Sequence, residues 1–399
     1  MNQPVDIKKV KKAIKELNIP KDYWGIDVES FFEYQWNLYI SIRETAGKTT
    51  QSLILGLILH ELYPEHYCIE YIRNDASQTT QQNVDTLFAT VEKFDYISKI
   101  TKGKYNSVQY YRNQKRFYLV KKDEDGAVLY EDTDYICAVH SVEKWQDFKS
   151  GYNNPRGNYI VLDEFQDTDR ATYMIFSQLL NIVSTIGRPF SVDRTPWLHI
   201  LMMGNNTDEY CFYFDDFGIS DQIRTLKFGG SITFRTEYNT TGICKLLELG
   251  ETQKERLRTK NIPFLGFPGK KAAAFTGSQE WAGKTFRHPE WELDYDYCYF
   301  RRAYIMHRGR WIQFDFFRDS DHGKYIFLHF ASEPLKNDNV VFTLEPCRDF
   351  HIYGLGKYEK RERIRKICDT IRISFIENRM LYASNMVGAL FDDFMKNVK

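Results

Sequence analysis

The sequence predicts an α/β chain: a mostly parallel sheet covered by helices on both faces, followed by a separate α+β domain. Three observations predict it. Tyr159-Ile160-Val161-Leu162 is continuously apolar and stops on Asp163-Glu164, as a fully buried parallel strand does. Strand-like Trp36-Asn37-Leu38-Tyr39-Ile40-Ser41-Ile42 leads through a short loop into an apolar helical stretch, Gln51 to Tyr63. Strand and helix patterns alternate up to about Tyr238, and long β runs take over from Trp291.

Taken in order, residues 1–25 form a basic helical arm. Lys8, Lys9, Lys11 and Lys12 interleave with Val5, Ile7, Val10, Ala13, Ile14 and Leu17 at helical spacing, and Pro20 closes the helix. Such a helix packs an edge of the next domain, or docks a partner or a nucleic acid. Residues 26–238 hold the parallel sheet. After the first strand comes Cys68 to Arg73, then a helix over roughly Gln78 to Lys93. Arg116–Val120 and Ala127–Tyr130 flank Asp125-Gly126 as a hairpin. A polar loop, Lys149 to Gly157, feeds the acidic strand. A helix from about Asp169 to Ser184 and a loop with Arg188 and Arg194 lead to the strand His199–Met203, which ends at Gly204-Asn205-Asn206.

Residues 239–285, rich in Thr, Lys and Gly, read as a linker or lid segment with a helix near Ile243 to Arg258. Residues 286–399 form the second domain. Its β runs are Tyr295–Met306, Trp311–Phe317, Lys324–Phe330 and 340–353; its helices lie near Glu359–Phe375 and Met380–Lys396.

The 399 residues carry 54 Lys+Arg and 54 Asp+Glu, so any nucleic-acid contact must come from local patches. The 27 Tyr and 29 Phe argue for a large folded core. Seven scattered cysteines without a Cys-x-x-Cys pair fit a reducing compartment and argue against zinc or disulfides. A charged N-terminus, and an apolar stretch no longer than Leu53–Leu59, predict an intracellular chain without a membrane partner.

The chemistry lies where the strands end. Ala46-Gly47-Lys48-Thr49-Thr50 between strand and helix is the context of a phosphate loop. Loop and helix N–H groups would hold phosphates, Lys48 would reach their oxygens, and the Thr49 hydroxyl would sit on Mg²⁺. The consensus glycine five places before Gly47 is Ile42, and the loop reads Arg43-Glu44-Thr45-Ala46. Asp163 suits the metal shell, and Glu164 suits orienting or deprotonating a water. ATP and Mg²⁺ are therefore the expected cofactors, bound by residues 43–50. The bland alternative is a helix N-cap with a solvated lysine.

The order of these features is the basis of a resemblance: phosphate loop, Tyr71-Ile72-Arg73, Lys115-Arg116-Phe117-Tyr118, Val161-Leu162-Asp163-Glu164-Phe165, Leu179-Leu180-Asn181, Thr185-Ile186-Gly187-Arg188 and the Asn205 strand end. It resembles the DNA-encapsidation ATPases of small protein-primed podoviruses, relatives of the large terminase subunits. The resemblance is strongest over residues 36–206 and returns in Asn378-Arg379-Met380-Leu381-Tyr382.

It implies an ASCE-type P-loop ATPase domain, and a C-terminal domain resembling a vestigial ribonuclease-H-like nuclease. The implied activity is ATP-driven movement of double-stranded DNA into a preformed capsid. It implies a homo-oligomeric ring, a pentamer in the family, acting in the host cytoplasm and transiently at the portal vertex, with room for a structural RNA. Lys48 and Thr49 match the phosphate-loop pair, and Asp163 and Glu164 the two carboxylates. Arg188 matches an arginine finger acting across subunits, with Arg194 and Arg156 as substitutes. Lys149 matches a second trans-acting cation, and Asn205 a residue coupling hydrolysis to motion. Arg73 could orient the phosphate loop or pair with Glu44.

In large terminases the C-terminal domain is a two-metal nuclease. Asp294, Asp296, Asp315, Asp392 and Asp393 are the candidates here and form no convincing triad; the resemblance is to a relative that packages unit-length genomes and needs no cutting, which implies a nuclease-like fold without nuclease activity. Arg301, Arg302, Arg308 and Arg310 would then touch DNA or the vertex, or be solvated. Lys102, Lys104, Lys115 and Arg116, with Arg112, form a candidate DNA-facing set, directed at phosphates because a motor must accept any sequence. The rival functions are a terminase with a live nuclease and a helicase-like P-loop DNA-processing ATPase.

Overall fold

The computed structural model describes residues 5–19, 23–41, 47–150, 152, 154–166, 175–186, 197–205, 211–236, 240–248, 299–307, 310–318, 324–331, 339–343, 352–353, 362–377, 379–383 and 385–397. The chain divides into two compact units, Met1–Ala282 and Gly283–Lys399.

The first unit is built on a nine-stranded sheet: β1 (Trp36–Ser41), β2 (Ile69–Arg73), β3 (Ser107–Tyr111), β4 (Arg116–Lys122), β5 (Val128–Ser141), β6 (Tyr159–Asp163), β7 (His199–Asn205), β8 (Ser231–Arg235) and β9 (Thr241–Leu246). Their order is β3-β4-β5-β2-β6-β7-β1-β9-β8. The run from β5 to β9 is parallel, while β3, β4 and β8 add antiparallel edges. A mostly parallel sheet is buried on both faces. Tyr39, Tyr71, Tyr159 and Val161 accordingly join one core, and Leu38, Ile40, Ile160 and Leu162 the other.

The first core lies under α1 (Ile7–Glu16), α2 (Val28–Glu33), α3 (Lys48–Leu62) and the short helices α4 (Gln81–Val84), α5 (Ala89–Lys93) and α6 (Tyr96–Ile100). In α1, Val10 is buried with Val5 and Leu17 while the lysines face outward, so the arm packs on this domain. Helix α3 is buried from Gln51 to His60, which explains its lack of a polar face. The second core lies under α7 (Ile175–Ile186), α8 (Phe212–Asp216) and α9 (Ser220–Thr225).

Three expectations need correction. The helix expected over Gln78–Lys93 is a 3₁₀ turn (Ala76–Thr79) followed by α4 and α5. The chain is extended at Thr80, which interrupts helical hydrogen bonding. The segment read as linker with a helix from Ile243 begins instead with β9, which pairs with β1 from Trp36↔Gly242 to Ile40↔Leu246. Burial of Ile243, Cys244 and Leu246 decides for the strand; residues 249–298 lie outside the described part. Strand β3 was not expected at all.

The second unit has a six-stranded sheet: β10 (Tyr299–His307), β11 (Arg310–Arg318), β12 (Lys324–Phe330), β13 (Val341–Thr343), β14 (Ile352–Tyr353) and β15 (Met380–Tyr382), ordered β14-β13-β10-β11-β12-β15. β10–β11–β12 is an antiparallel meander, and β13 and β15 join its two edges in parallel. Helices α10 (Glu362–Ile376) and α11 (Asn385–Asn397) follow. Met380–Tyr382 is thus a strand, where the start of a helix was expected. It completes the open edge of β12, with Met380 and Tyr382 buried.

Candidate functional site

The C-terminal ends of β1, β2, β6 and β7 lie side by side, where ligands bind in open α/β sheets. Gly47 precedes α3 with φ 60°, and no side chain caps the helix. Glycine takes this left-handed conformation without steric cost, and the uncapped first turn leaves its N–H groups for an anion. Lys48 Nζ donates to Ser41 Oγ at the end of β1 (2.8 Å) and to Asn205 Oδ1 at the end of β7 (2.9 Å). Burial of its ammonium, opposed by the charges of Asp163 and Glu164, lowers its pKa to about 8. An enclosed ammonium held by neutral oxygens is a fit for a phosphate.

Thr49 Oγ1 donates to Asp163 Oδ2 (2.8 Å), which also accepts from Tyr71 OH (2.6 Å). Arg73 continues the cluster. Its Nε donates to Tyr71 OH (2.9 Å), its Nη2 lies 3.2 Å from Asp163 Oδ2, and its Nη1 pairs with the Glu164 carboxylate. Burial alone would favour loss of the Arg73 proton, but Asp163, Tyr71 and Glu164 outweigh it and raise the pKa. Burial, then the Asp163 charge, pushes the Tyr71 phenol well above its ordinary value. The hydroxyl–carboxylate pair of Thr49 and Asp163 supplies the hard oxygen donors that Mg²⁺ takes.

Glu164 has φ 57°, unusual for a residue with a side chain and a local strain of about 1–2 kcal/mol. The turn is tied down by neighbours: Asn74 Nδ2 donates to the Glu164 and Phe165 carbonyls (3.3 and 3.1 Å), and Phe165 N–H donates to Met203 O (3.1 Å). Tyr213 OH donates to Asn74 Oδ1 (3.2 Å). Tyr71, Arg73, Gln78, Asn83, Val84, Thr86, Leu87 and Glu164 line a cavity of about 320 Å³, so the carboxylate borders open space.

Lys48, Thr49, Asp163, Glu164 and Asn205 thus meet in one site, and Arg73 pairs with the acidic strand end. Arg43, Glu44, Thr45 and Ala46 of the loop, Arg188, Arg194 and the Lys149 side chain lie outside the described residues, as do Asp294, Asp296, Arg308 and the Asp393 side chain. Arg156 precedes β6, at the opposite end from Asp163; it pairs with Asp134 and lies over the Tyr135 ring. Lys102 and Lys104 sit at one end of the β3–β4 hairpin, and Lys115 and Arg116 at the other, with Arg116 over Tyr135; they do not form one patch. Sequence reasoning missed Ser41, Tyr71 and Asn74. Tyr71 carried a signal: strand periodicity puts it on the face of Arg73.

In the second unit, Asp315 is engaged by Arg302 Nε (3.0 Å), Gln313 Nε2 (2.9 Å) and His329 Nε2 (3.1 Å). Burial would raise its pKa, but the His329 and Gln313 hydrogen bonds and the His329 and Arg302 charges lower it. Among the described residues, no group of three or more His, Cys, Asp or Glu could hold a metal ion, and no helix is long and apolar enough to cross a membrane.

No protein-family model matches the sequence, and no curated relative does. The fold has solved counterparts. The chain is similar to a protein of the bacteriophage Phi-29 viral genome packaging motor assembly, at 14% identity and TM-score 0.55, over 94% of this chain and 99% of that one. It is similar to the Phi-28 gp11 DNA packaging motor at 14% identity and TM-score 0.52, over 94% and 98%. The likeness shows a shared fold across nearly the whole of each chain.

Proposed function

We propose that the chain is an ATPase subunit of a motor that moves double-stranded DNA into a preformed viral capsid. One observation carries the ATPase reading: Lys48, Thr49, Asp163 and Glu164 converge at the carboxyl edge of a parallel sheet, beside an uncapped helix N-terminus. The fold shared with two packaging-motor proteins supports the motor reading over a helicase-like one.

Bound Mg²⁺-ATP would supply a reactive γ-phosphoryl group and a cation to neutralise its charge. The first turn of α3 and Lys48 would hold the phosphates, and Thr49 and Asp163 the metal. Glu164 would orient the attacking water and take its proton. Asn205 touches the Lys48 ammonium and would relay a change at the phosphates into β7. Arg188 and Lys149 are assigned to catalysis across a subunit interface, in a ring with the pentameric state of the family it resembles. The ring would work at the portal vertex in the host cytoplasm, with or without a structural RNA.

The second unit is read as a ribonuclease-H-like domain without nuclease activity. Its antiparallel meander extended by parallel strands supports the fold, and the engagement of Asp315 by Arg302, Gln313 and His329 supports the loss of metal binding. The test is ATP hydrolysis with and without double-stranded DNA, followed by packaging into purified empty capsids. DNA-stimulated turnover abolished by Lys48→Ala is expected; turnover insensitive to Lys48→Ala would refute the assignment.

A further inference from the structure

Asp163 is almost wholly buried at the end of β6, and three donors converge on one of its two carboxylate oxygens. Thr49 Oγ1 lies 2.8 Å from Oδ2, Tyr71 OH 2.6 Å and Arg73 Nη2 3.2 Å. No donor reaches Oδ1 among the described residues. A carboxylate offers about four lone-pair sites over its two oxygens. Oδ2 is therefore saturated, and Oδ1 is the oxygen left for a ligand.

The proton directions follow from the partners. An ionised carboxylate only accepts, so Thr49 gives its hydroxyl proton to Asp163 and keeps its lone pairs for a cation. The Tyr71 oxygen accepts from Arg73 Nε (2.9 Å), so its single proton goes to Asp163. Register explains the reach. Tyr71 pairs with Val161, and Asp163, two places further along β6, shares that face of the sheet. Two residues of strand span ~6.6 Å, a distance that a phenol covers and a shorter polar side chain does not. The Arg73 guanidinium also lies 5.6 Å from the centroid of the Tyr71 ring, so the ring is held as well as the hydroxyl. Thr49 would also touch the cation, and Arg73 also pairs with Glu164; the Tyr71 proton serves Asp163 alone.

We propose that Tyr71 is a positioning residue for metal binding: its hydroxyl pins Asp163 Oδ2 so that Oδ1 is presented to the divalent cation that accompanies the nucleotide. The inference rests on the ATPase reading of Lys48, Thr49 and Asp163. It places part of the metal affinity on a side chain that touches neither nucleotide nor metal. Groups that hydrogen-bond a ligating carboxylate typically contribute ~10–100-fold to metal affinity.

The test compares the affinity of the full chain for a fluorescent ATP analogue in Mg²⁺ and in EDTA; the ratio reads the contribution of the metal without any turnover. In Tyr71→Phe the gain that Mg²⁺ brings is expected to shrink by about 10–100-fold. Affinity in EDTA should stay within about twofold of the parent, because Lys48 and the first turn of α3 are untouched. The Mg²⁺ concentration for half-maximal ATP turnover should rise, with kcat returning toward the parental value as Mg²⁺ saturates, a recovery that a folding defect does not show. In the Asp163→Asn background Tyr71→Phe should add no further loss, since one loss contains the other. 4-Aminophenylalanine in place of Tyr71, which still donates, should restore the Mg²⁺ gain. 4-Fluorophenylalanine in place of Tyr71 fills the space of the phenol and donates nothing; it carries the test if Tyr71→Phe does not fold. A parental Mg²⁺ gain in Tyr71→Phe or in the fluorinated chain, beside its loss in Asp163→Asn, overturns the positioning role and leaves the ATPase reading standing. A parental gain in Asp163→Asn removes Asp163 from the metal site and the role of Tyr71 with it. Analogue binding unchanged by Lys48→Ala removes the ATPase reading itself.

Discussion

The Arg73 guanidinium is ion-paired with the Glu164 carboxylate while its other terminal nitrogen lies 3.2 Å from Asp163. Arg73 therefore keeps two adjacent acidic groups together at a strand end where Asp163 is almost wholly buried. Removing one partner of a buried pair leaves an uncompensated charge and costs about 3–5 kcal/mol. Arg73→Ala should accordingly melt several degrees lower than the parent, and Arg73→Lys should recover only part of the loss, because one ammonium cannot span both carboxylates. Calorimetry of the two variants decides this; equal melting temperatures for Arg73→Ala and the parent would contradict it.

Glu164 has a narrower task. A positioned general base contributes roughly 10²–10⁴ in rate, and the Glu164 carboxylate is paired with Arg73 at the rim of the cavity. Glu164→Gln keeps the shape and loses the charge. Turnover should fall by about that factor, while binding of a fluorescent ATP analogue stays near the parental level. Unchanged turnover would show that another group prepares the water.

Lys48 gives the site a proton linkage. Without nucleotide it titrates near 8 rather than its ordinary 10.5. The folded chain releases this proton as pH passes 8, and the unfolded chain holds it to about 10.5. This group therefore makes the nucleotide-free chain more stable as pH rises from 8 toward 10. A phosphate favours the charged ammonium, so ATP binding should take up about half a proton at pH 8, and affinity should fall as pH climbs further. Titration calorimetry in buffers of different ionisation enthalpy measures the uptake. Lys48→Arg, charged throughout this range, should abolish it.

Asn205 and Ser41 both accept from the Lys48 ammonium. A hydrogen bond to a charged group contributes about 1.5–3 kcal/mol, but a bound phosphate would replace these neutral acceptors with a better one. Asn205→Ala should therefore affect ATP binding little. Its expected signature is ATP hydrolysis retained with DNA movement lost, because β7 no longer feels the state of Lys48. Equal loss of hydrolysis and DNA movement would argue for a purely structural role.

What the sequence made legible follows from local chemistry. Gly47-Lys48-Thr49 between strand and helix, and an apolar strand ending on Asp163-Glu164, are short-range patterns, and the structure brings these residues together at one edge of the sheet. The partners of those residues were not legible, because parallel register brings them together from far apart in the chain: Tyr71 lies beside Val161, and Asp163 beside Met203. The same reason hid β9, whose Thr-Gly-Ile-Cys run reads weakly alone and becomes a strand only beside β1. Glu70 looked like one polar residue in an apolar strand; its buried carboxylate accepts from Tyr152 and Asn154, more than eighty residues away.

Asn74 is the clearest case of a residue that shapes the candidate site without a sequence signal. Its amide holds the carbonyls of Glu164 and Phe165, and its own oxygen accepts from Tyr213. It thereby stabilises a left-handed backbone that a glutamate does not adopt freely. Replacing it by alanine leaves two carbonyls and a tyrosine hydroxyl short of partners, at about 1–3 kcal/mol. Asn74→Ala should lower the melting temperature and, because Glu164 is no longer aimed, lower kcat with ATP KM unchanged. Adding Glu164→Gly to Asn74→Ala supplies the control. Glycine accepts φ 57° without strain but also gives up the Arg73 ion pair, so the comparison is made in an Arg73→Ala background, where that pair is already gone; there the added Glu164→Gly should regain part of the lost stability but none of the lost turnover. If stability does not return, the backbone strain at Glu164 is not what Asn74 restrains.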